Sequence, residues 1–203
     1  MKVDGRSERS RRTRRRIVEA AAVLFVEQGY VATTLEDVAQ RAEISVQTIY
    51  YSFGNKRRVL EAVLGATVAG DHEPVPPLER PWAASLAEQP EPADALRALV
   101  DGALEIVART VPVYEVIRRA ASDPDVADLL DTNRRERGEV QRELVARLHR
   151  AGHLRPGLEL DDAAAVVYGL LNEEVFQLFV IDCGWAPDRF GRWVCDTLAS
   201  QLL

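Results

Sequence analysis

The side chains best suited to specific chemistry in this chain lie on one short stretch, from Ser45 to Phe53, followed by a lysine at 56. Glutamine can pair bidentately with the edge of an adenine, and threonine can touch a thymine methyl or hydrogen-bond a base. Gln47 and Thr48 therefore suit reading of a DNA major groove, with Val46 adding apolar contact only. Tyr50, Tyr51 and Ser52 suit phosphate oxygens; if one tyrosine serves the core instead, Tyr50 is the one expected at the DNA. Thr34, Ser45 and Lys56 stand at helix starts, where free N–H groups and a cation favour an anion, and they complete the set.

Other groupings fit catalysis or metal binding poorly. His149 and His153 are four apart, but Gly152 between them should end the helix, so capping by His149 fits better than zinc. Glu173 and Glu174 are adjacent and diverge on a helix, which disfavours a paired-carboxylate site. Cys183 and Cys195 match no ligand spacing and read as buried free thiols. Neither a catalytic residue, a metal nor a cofactor is expected.

The elements that must hold Gln47 and Thr48 in place are legible around them. Residues 11–28 predict a first helix, with Ile17, Ala21, Leu24 and Phe25 on one face and Gly29 ending it. Thr33 and Thr34 supply hydroxyls to cap a second helix through Leu35, Val38, Ala39 and Ala42. Ser45 caps a third, with Ile44 and Ile49 arranged as a hydrophobic staple and Ile49 and Phe53 facing inward. Asn55 caps a fourth, whose Val59, Leu60, Val63 and Leu64 face the core. Residues 34–53 thus read as a helix-turn-helix with a short recognition helix.

These residues resemble the N-terminal domain of the TetR family of transcriptional regulators. The likeness runs through Ile17, Ala21, Leu24, Phe25, Gly29, Tyr30, Thr34, Val38, Ala39, Ala42, Ser45, Thr48, Ile49, Tyr50, Phe53, Lys56 and Leu60, covering roughly residues 12–70. Two positions depart from it. The family usually has glycine in the turn, where this chain has Glu43, and an acidic residue soon after the lysine, where this chain has Arg57 and Arg58. The resemblance implies about nine helices, four plus five.

The net charge of −6 conceals an asymmetry. Residues 1–70 hold 12 Lys and Arg against 8 Asp and Glu, a balance of +4, and the remainder 14 against 24, a balance of −10. One end is built to meet phosphate. Arginines 11, 12, 14, 15 and 16 oppose the helix dipole at the start of the first helix, so Arg11, Arg12, Arg14, Arg15 and also Arg57 are candidates for the DNA backbone. An Arg-rich N-terminus without an apolar core is no secretory signal, and the cytoplasm is the expected compartment.

Six of the ten prolines fall between Pro74 and Pro92, marking a linker over 72–92 between a DNA-binding domain, 11–71, and a helical domain, 93–203. Within the latter the periodicity predicts helices from about Leu96 to Val107, from Pro112 to Ala121, from Asp125 to Arg150, from Asp161 to Asp182, and from Pro187 onward. Asn133 and Arg137 interrupt the apolar stripe of the long helix. Two readings stand: Arg137 pairs with a carboxylate such as Glu173, or both line a ligand pocket between helices five to eight with Trp82, Tyr114, Ile117, Tyr168, Asn172 and Phe176. Tyr168, Leu171, Phe176, Trp193, Val194 and Leu198 are expected at a two-fold, four-helix dimer interface.

The expectation is an all-α, homodimeric, one-component regulator, a repressor that binds a palindromic double-stranded operator and is released by a small molecule. A ligand-independent architectural DNA binder and a helical-bundle enzyme or carrier are the alternatives.

Overall fold

The computed structural model describes residues 5–70 and 75–203, with side chains from residue 8. The first residues of the polar N-terminal segment and residues 71–74, the last of the expected DNA-binding domain and the head of the expected linker, lie outside the described residues. The described residues form helices and no strands, as the patterning predicts. The first, α1 (Gly5–Gln28), starts earlier than residue 11, because the Arg-rich run has good helix propensity and Glu8 favours the positive end of the dipole. Then follow α2 (Leu35–Arg41), α3 (Val46–Phe53) and α4 (Lys56–Ala69).

The chain packs as two units, and the division differs from the one expected at the prolines. The first unit contains α1 to α4 together with Pro112–Asp131, leaving Thr132–Leu203 and the preceding stretch up to Val111 in the second. The first core joins Ile17, Phe25, Ile49 and Leu60 to Ile117, Val126 and Leu129. Residues 112–131 go there because their apolar faces are buried against the helices of that unit.

In the second unit the proline-rich stretch forms single turns, including α5 (Pro81–Ala84). Its Ala83 and Leu86 are buried, and Arg147 donates to the carbonyls of Leu78 and Ala83. The Trp82 ring occupies the space left by Gly102, where a methyl group would collide with it.

Boundaries in the second half of the chain also depart from the sequence reading. Pro112 does not start a new helix, since α6 runs unbroken from Pro92 to Arg119. Proline removes one N–H and crowds the carbonyl four residues back, but buried Val107, Val111, Val113 and Ile117 hold the helix on course. Past α7 (Pro124–Arg150), the helix expected to reach Asp182 breaks instead. It divides into α8 (Leu160–Leu170), α9 (Glu173–Phe176) and a π-helical stretch, Gln177–Asp182.

Asn172 causes the break. Its amide nitrogen donates to the carbonyls of Tyr168 and Gly169, and its oxygen accepts from the Val175 N–H, so one side chain caps both sides. Gln141 reinforces it through the Leu171 carbonyl. At the start of α8 the capping position is Glu159, not Asp161, and it makes no side-chain cap bond. The last helix, α10 (Pro187–Leu202), begins at the proline as expected.

Candidate nucleic-acid interface

The caps anticipated around the short helix are formed. The Thr34 hydroxyl accepts from the Asp37 N–H at 3.1 Å, while the Asp37 carboxylate accepts from the Thr34 N–H at 2.9 Å and from its hydroxyl at 2.7 Å. Those hydrogen bonds hold the Asp37 carboxyl below the usual carboxylate range. The Ser45 oxygen accepts from the Thr48 N–H at 3.3 Å, and the Asn55 oxygen accepts from Arg58 N–H at 2.9 Å. Thr34 and Ser45 are thus occupied in fixing helix starts, and the Ser45 and Thr48 hydroxyls also bond each other at 2.9 Å.

With Ile49 and Phe53 buried below, α3 turns Gln47, Tyr50 and Tyr51 outward. Tyr51 is 91% exposed and Tyr50 52%, so neither tyrosine serves the core. Val46 is half-buried and packs against the core edge. The exposed face therefore offers one amide and two phenols, with the Thr48 hydroxyl at its margin.

Lys56 behaves differently from the expectation that it meets phosphate. Its ammonium donates to the carbonyls of Tyr30 at 2.9 Å, Val31 at 3.4 Å and Thr33 at 3.0 Å, and lies 4.3 Å from the Tyr30 ring centroid. An ammonium has three donors, and all three are used. Burial pushes the Lys56 ammonium pKa down and the Tyr30 phenol pKa up. The role in this structure is to pin the loop between α1 and α2 to the start of α4. Its neighbour Arg57 donates to the Asp125 carbonyl at 3.1 Å and to Glu61 at 3.2 Å.

The basic run of α1 divides in the same way. Arg11 and Arg12 are exposed, and Arg15 lies 3.7 Å from Glu19. Arg14 instead donates to the Ser52 carbonyl near the end of α3 and stacks 4.1 Å over the Phe53 ring. Arg16 donates to the Ala42 carbonyl at the end of α2 and reaches Glu43. This sorting was available from the sequence. At about 100° per residue, Arg14 and Arg16 fall within roughly 100° of Ile17 on the helix wheel, whereas Arg11, Arg12 and Arg15 fall beyond. Glu43 itself has φ of +51°, the left-handed conformation in which a side chain costs about 1 kcal/mol relative to glycine.

The residues expected to form a ligand pocket divide between the two units. Tyr114 and Ile117 belong to the core of the first unit. In the second unit Trp82 packs on Gly102, and the Asn172 amide is taken up by the helix break. Arg137 pairs with Glu173, which also accepts from the Thr110 hydroxyl at 3.0 Å; their side chains are 13% and 5% exposed. The carboxylate-pairing reading of Arg137 is the one the geometry gives. A cavity of about 550 Å³ lies elsewhere in this unit, between the first part of α6 and α10, lined by Arg97, Asp101, Glu105, Asp188 and Arg192 over Leu104 and Phe176. Phe176 alone comes from the expected set.

Of the residues expected at the dimer interface, Leu171, Phe176, Val194 and Leu198 are buried within the single chain. Tyr168 and Trp193 are half-buried. The apolar side chains left exposed nearby are Leu178, at 51%, and Ile181, at 57%, on the π-helical stretch. Cys183 beside them is exposed rather than buried, while Cys195 is buried as expected; both are free. α7 ends at Arg150 and Gly152 has φ of +75°, so His153 lies past the helix.

The family description "Bacterial regulatory proteins, tetR family" matches residues 17–63. The uncharacterised HTH-type transcriptional regulator YvkB of Bacillus subtilis (strain 168) is 44% identical over 54 residues, which is 27% of this chain and 29% of that protein. The chain spans less than two thirds of the length of this and the next three curated relatives, between 29% and 58%. Among solved structures, the transcriptional regulator FadR from Bacillus subtilis in complex with stearoyl-CoA superposes with a TM-score of 0.70 at 18% identity, covering 90% of this chain and 96% of that one. Native NalD, the secondary repressor of the MexAB-OprM multidrug efflux pump in Pseudomonas aeruginosa, superposes with 0.68 at 22%, covering 96% and 98%. At these identities the two structures speak for the fold alone.

Proposed function

The chain belongs to the TetR family of bacterial regulatory proteins, and from that premise we propose that it is a one-component transcriptional repressor rather than an enzyme. It binds a palindromic operator as a homodimer in the cytoplasm. The observation that carries this reading is α3, a helix capped at its start by Ser45, anchored by buried Ile49 and Phe53, and presenting Gln47, Tyr50 and Tyr51 to the outside. Gln47 and Thr48 read base edges, while Tyr50, Tyr51, Arg11 and Arg12 meet phosphates. The DNA-binding domain is 11–71, and 93–203 carries dimerisation and effector binding, its residues 112–131 packing in the first unit.

Dimerisation is supported by the apolar segment Leu160–Asp182, only 28% of whose most apolar stretch is buried by the chain itself. Long and apolar enough by composition to cross a membrane, it is broken by Asn172 and carries Glu173 in a buried ion pair, which suits a protein interface better. The interface uses Val166, Leu170, Leu178, Ile181 and Trp193. Two recognition helices held about 34–36 Å apart then enter successive major grooves, and an effector that changes this spacing releases the DNA. FadR was solved with stearoyl-CoA, and NalD is the secondary repressor of a multidrug efflux pump; by analogy a small molecule is the effector here. Light scattering of the purified protein, with and without a palindromic duplex it selects, tests the reading. Two chains per duplex are expected, and a mass near 22.6 kDa in free solution with no retained duplex refutes it.

A further inference from the structure

We infer that Arg16 is a positioning residue for the recognition helix, holding the turn between α2 and α3 in a left-handed conformation that its own residue, Glu43, disfavours. The inference extends the DNA-binding reading and rests on it for its binding readout. Three observations meet at this point. Glu43 is the one non-glycine residue with positive φ among the described residues, at +51°. α2 ends at Arg41, with Ala42 as its cap just before Glu43, and a helix end leaves carbonyls without intrahelical partners. The Arg16 guanidinium supplies what both features lack: it donates to the Ala42 carbonyl, reaches the Glu43 carbonyl at 3.4 Å, and meets the Glu43 carboxylate at 3.3 Å.

A planar guanidinium is suited to this, because its donors lie in a fixed fork that can engage several oxygens at once. Arg16 also sits on rigid ground: Ile17, the next residue of α1, is fully buried. The turn is thereby tied to α1 rather than left to its own preference. Ser45, the cap of α3, follows Glu43 by two residues, so any relaxation of φ at Glu43 swings the start of the recognition helix and with it Gln47. Glycine at 43 would adopt the same φ unaided. Arg16 and Glu43 thus form a compensated pair, and the arginine is spent on geometry rather than on phosphate.

The test is a cycle of full-length variants, R16A, E43G and R16A/E43G, assayed on a duplex selected by the parent protein from a random-sequence pool, with melting temperature measured in parallel. R16A is expected to weaken binding about fivefold to tenfold, with the dependence of log K on log salt unchanged, and E43G in the R16A background is expected to restore most of the loss. A salt slope shallower by about 0.9, the signature of one lost phosphate contact, with no recovery from E43G, overturns the inference, as does parental affinity in R16A. If the parent selects no duplex, the functional reading itself fails. The melting temperatures then decide the clamp alone: a smaller R16A effect in the E43G background supports it, and strict additivity overturns it.

Discussion

Replacing Arg137 by methionine keeps an unbranched apolar stem but removes the guanidinium that faces Glu173. The carboxylate would then retain the Thr110 hydroxyl as its donor, in a site where its side chain is 5% exposed. Removing one partner of a buried ion pair costs about 3–5 kcal/mol, because the remaining charge stays desolvated. Unfolding entropy near 2.1 cal/mol/K per residue gives about 0.4 kcal/mol/K for a chain of 203 residues, so the melting temperature should fall by roughly 7–12 °C. The double variant R137M/E173L removes both charges, and apolar residues of similar volume often match a buried pair in stability. It should recover most of that fall. Differential scanning calorimetry at pH 7 checks both. A fall under about 2 °C for R137M, or a double variant no better than the single one, refutes the assignment of this pair as an internal structural bridge.

Three further outcomes follow from the geometry. G102A drives a methyl into the Trp82 ring and should destabilise the protein by about 1–3 kcal/mol, with W82A largely removing the difference between glycine and alanine at 102, as urea denaturation would report. K56A should lower stability by about 1–3 kcal/mol through loss of three charge-assisted bonds, yet leave the salt slope of DNA binding unchanged; a slope shallower by one phosphate would return Lys56 to the DNA. The Glu115 carboxyl is held below its usual value of 4.5, chiefly by the hydrogen bond from Arg118. Its stabilising contribution is complete above that value and is lost as pH falls through the lower folded one. E115Q should therefore reduce the melting temperature at pH 7 but not at pH 2–3, and equal effects at both pH values would contradict this.

Local chemistry in the first seventy residues was legible because it is written at fixed offsets. Thr34 with Asp37, Ser45 with Thr48, and Asn55 with Arg58 are caps that a sequence displays directly. Long-range partners were not. No spacing announces that the carbonyls of Tyr30, Val31 and Thr33 converge on Lys56, so its inward orientation was invisible. Apolar stripes likewise do not say what covers them: Leu171, Val194 and Leu198 look the same whether they meet their own chain or a second copy. Pro112 and Asn172 were misjudged in opposite directions. Packing overrode a strong helix breaker at 112, while one amide with donors and an acceptor in reach of both helix ends broke the chain at 172.

Selection of duplexes from a random-sequence pool by the parent protein and by Q47A, followed by sequencing, tests the central claim most directly. Gln47 is exposed on α3 and makes no contact that the fold requires, so its loss should leave the melting temperature unchanged. The parent should enrich a motif with two-fold symmetry. Q47A should enrich the same motif with relaxed preference at one base pair in each half-site, worth about 1–3 kcal/mol of discrimination. Enrichment of no motif by the parent, or an identical motif from Q47A, would contradict the account of α3 as the element that reads DNA.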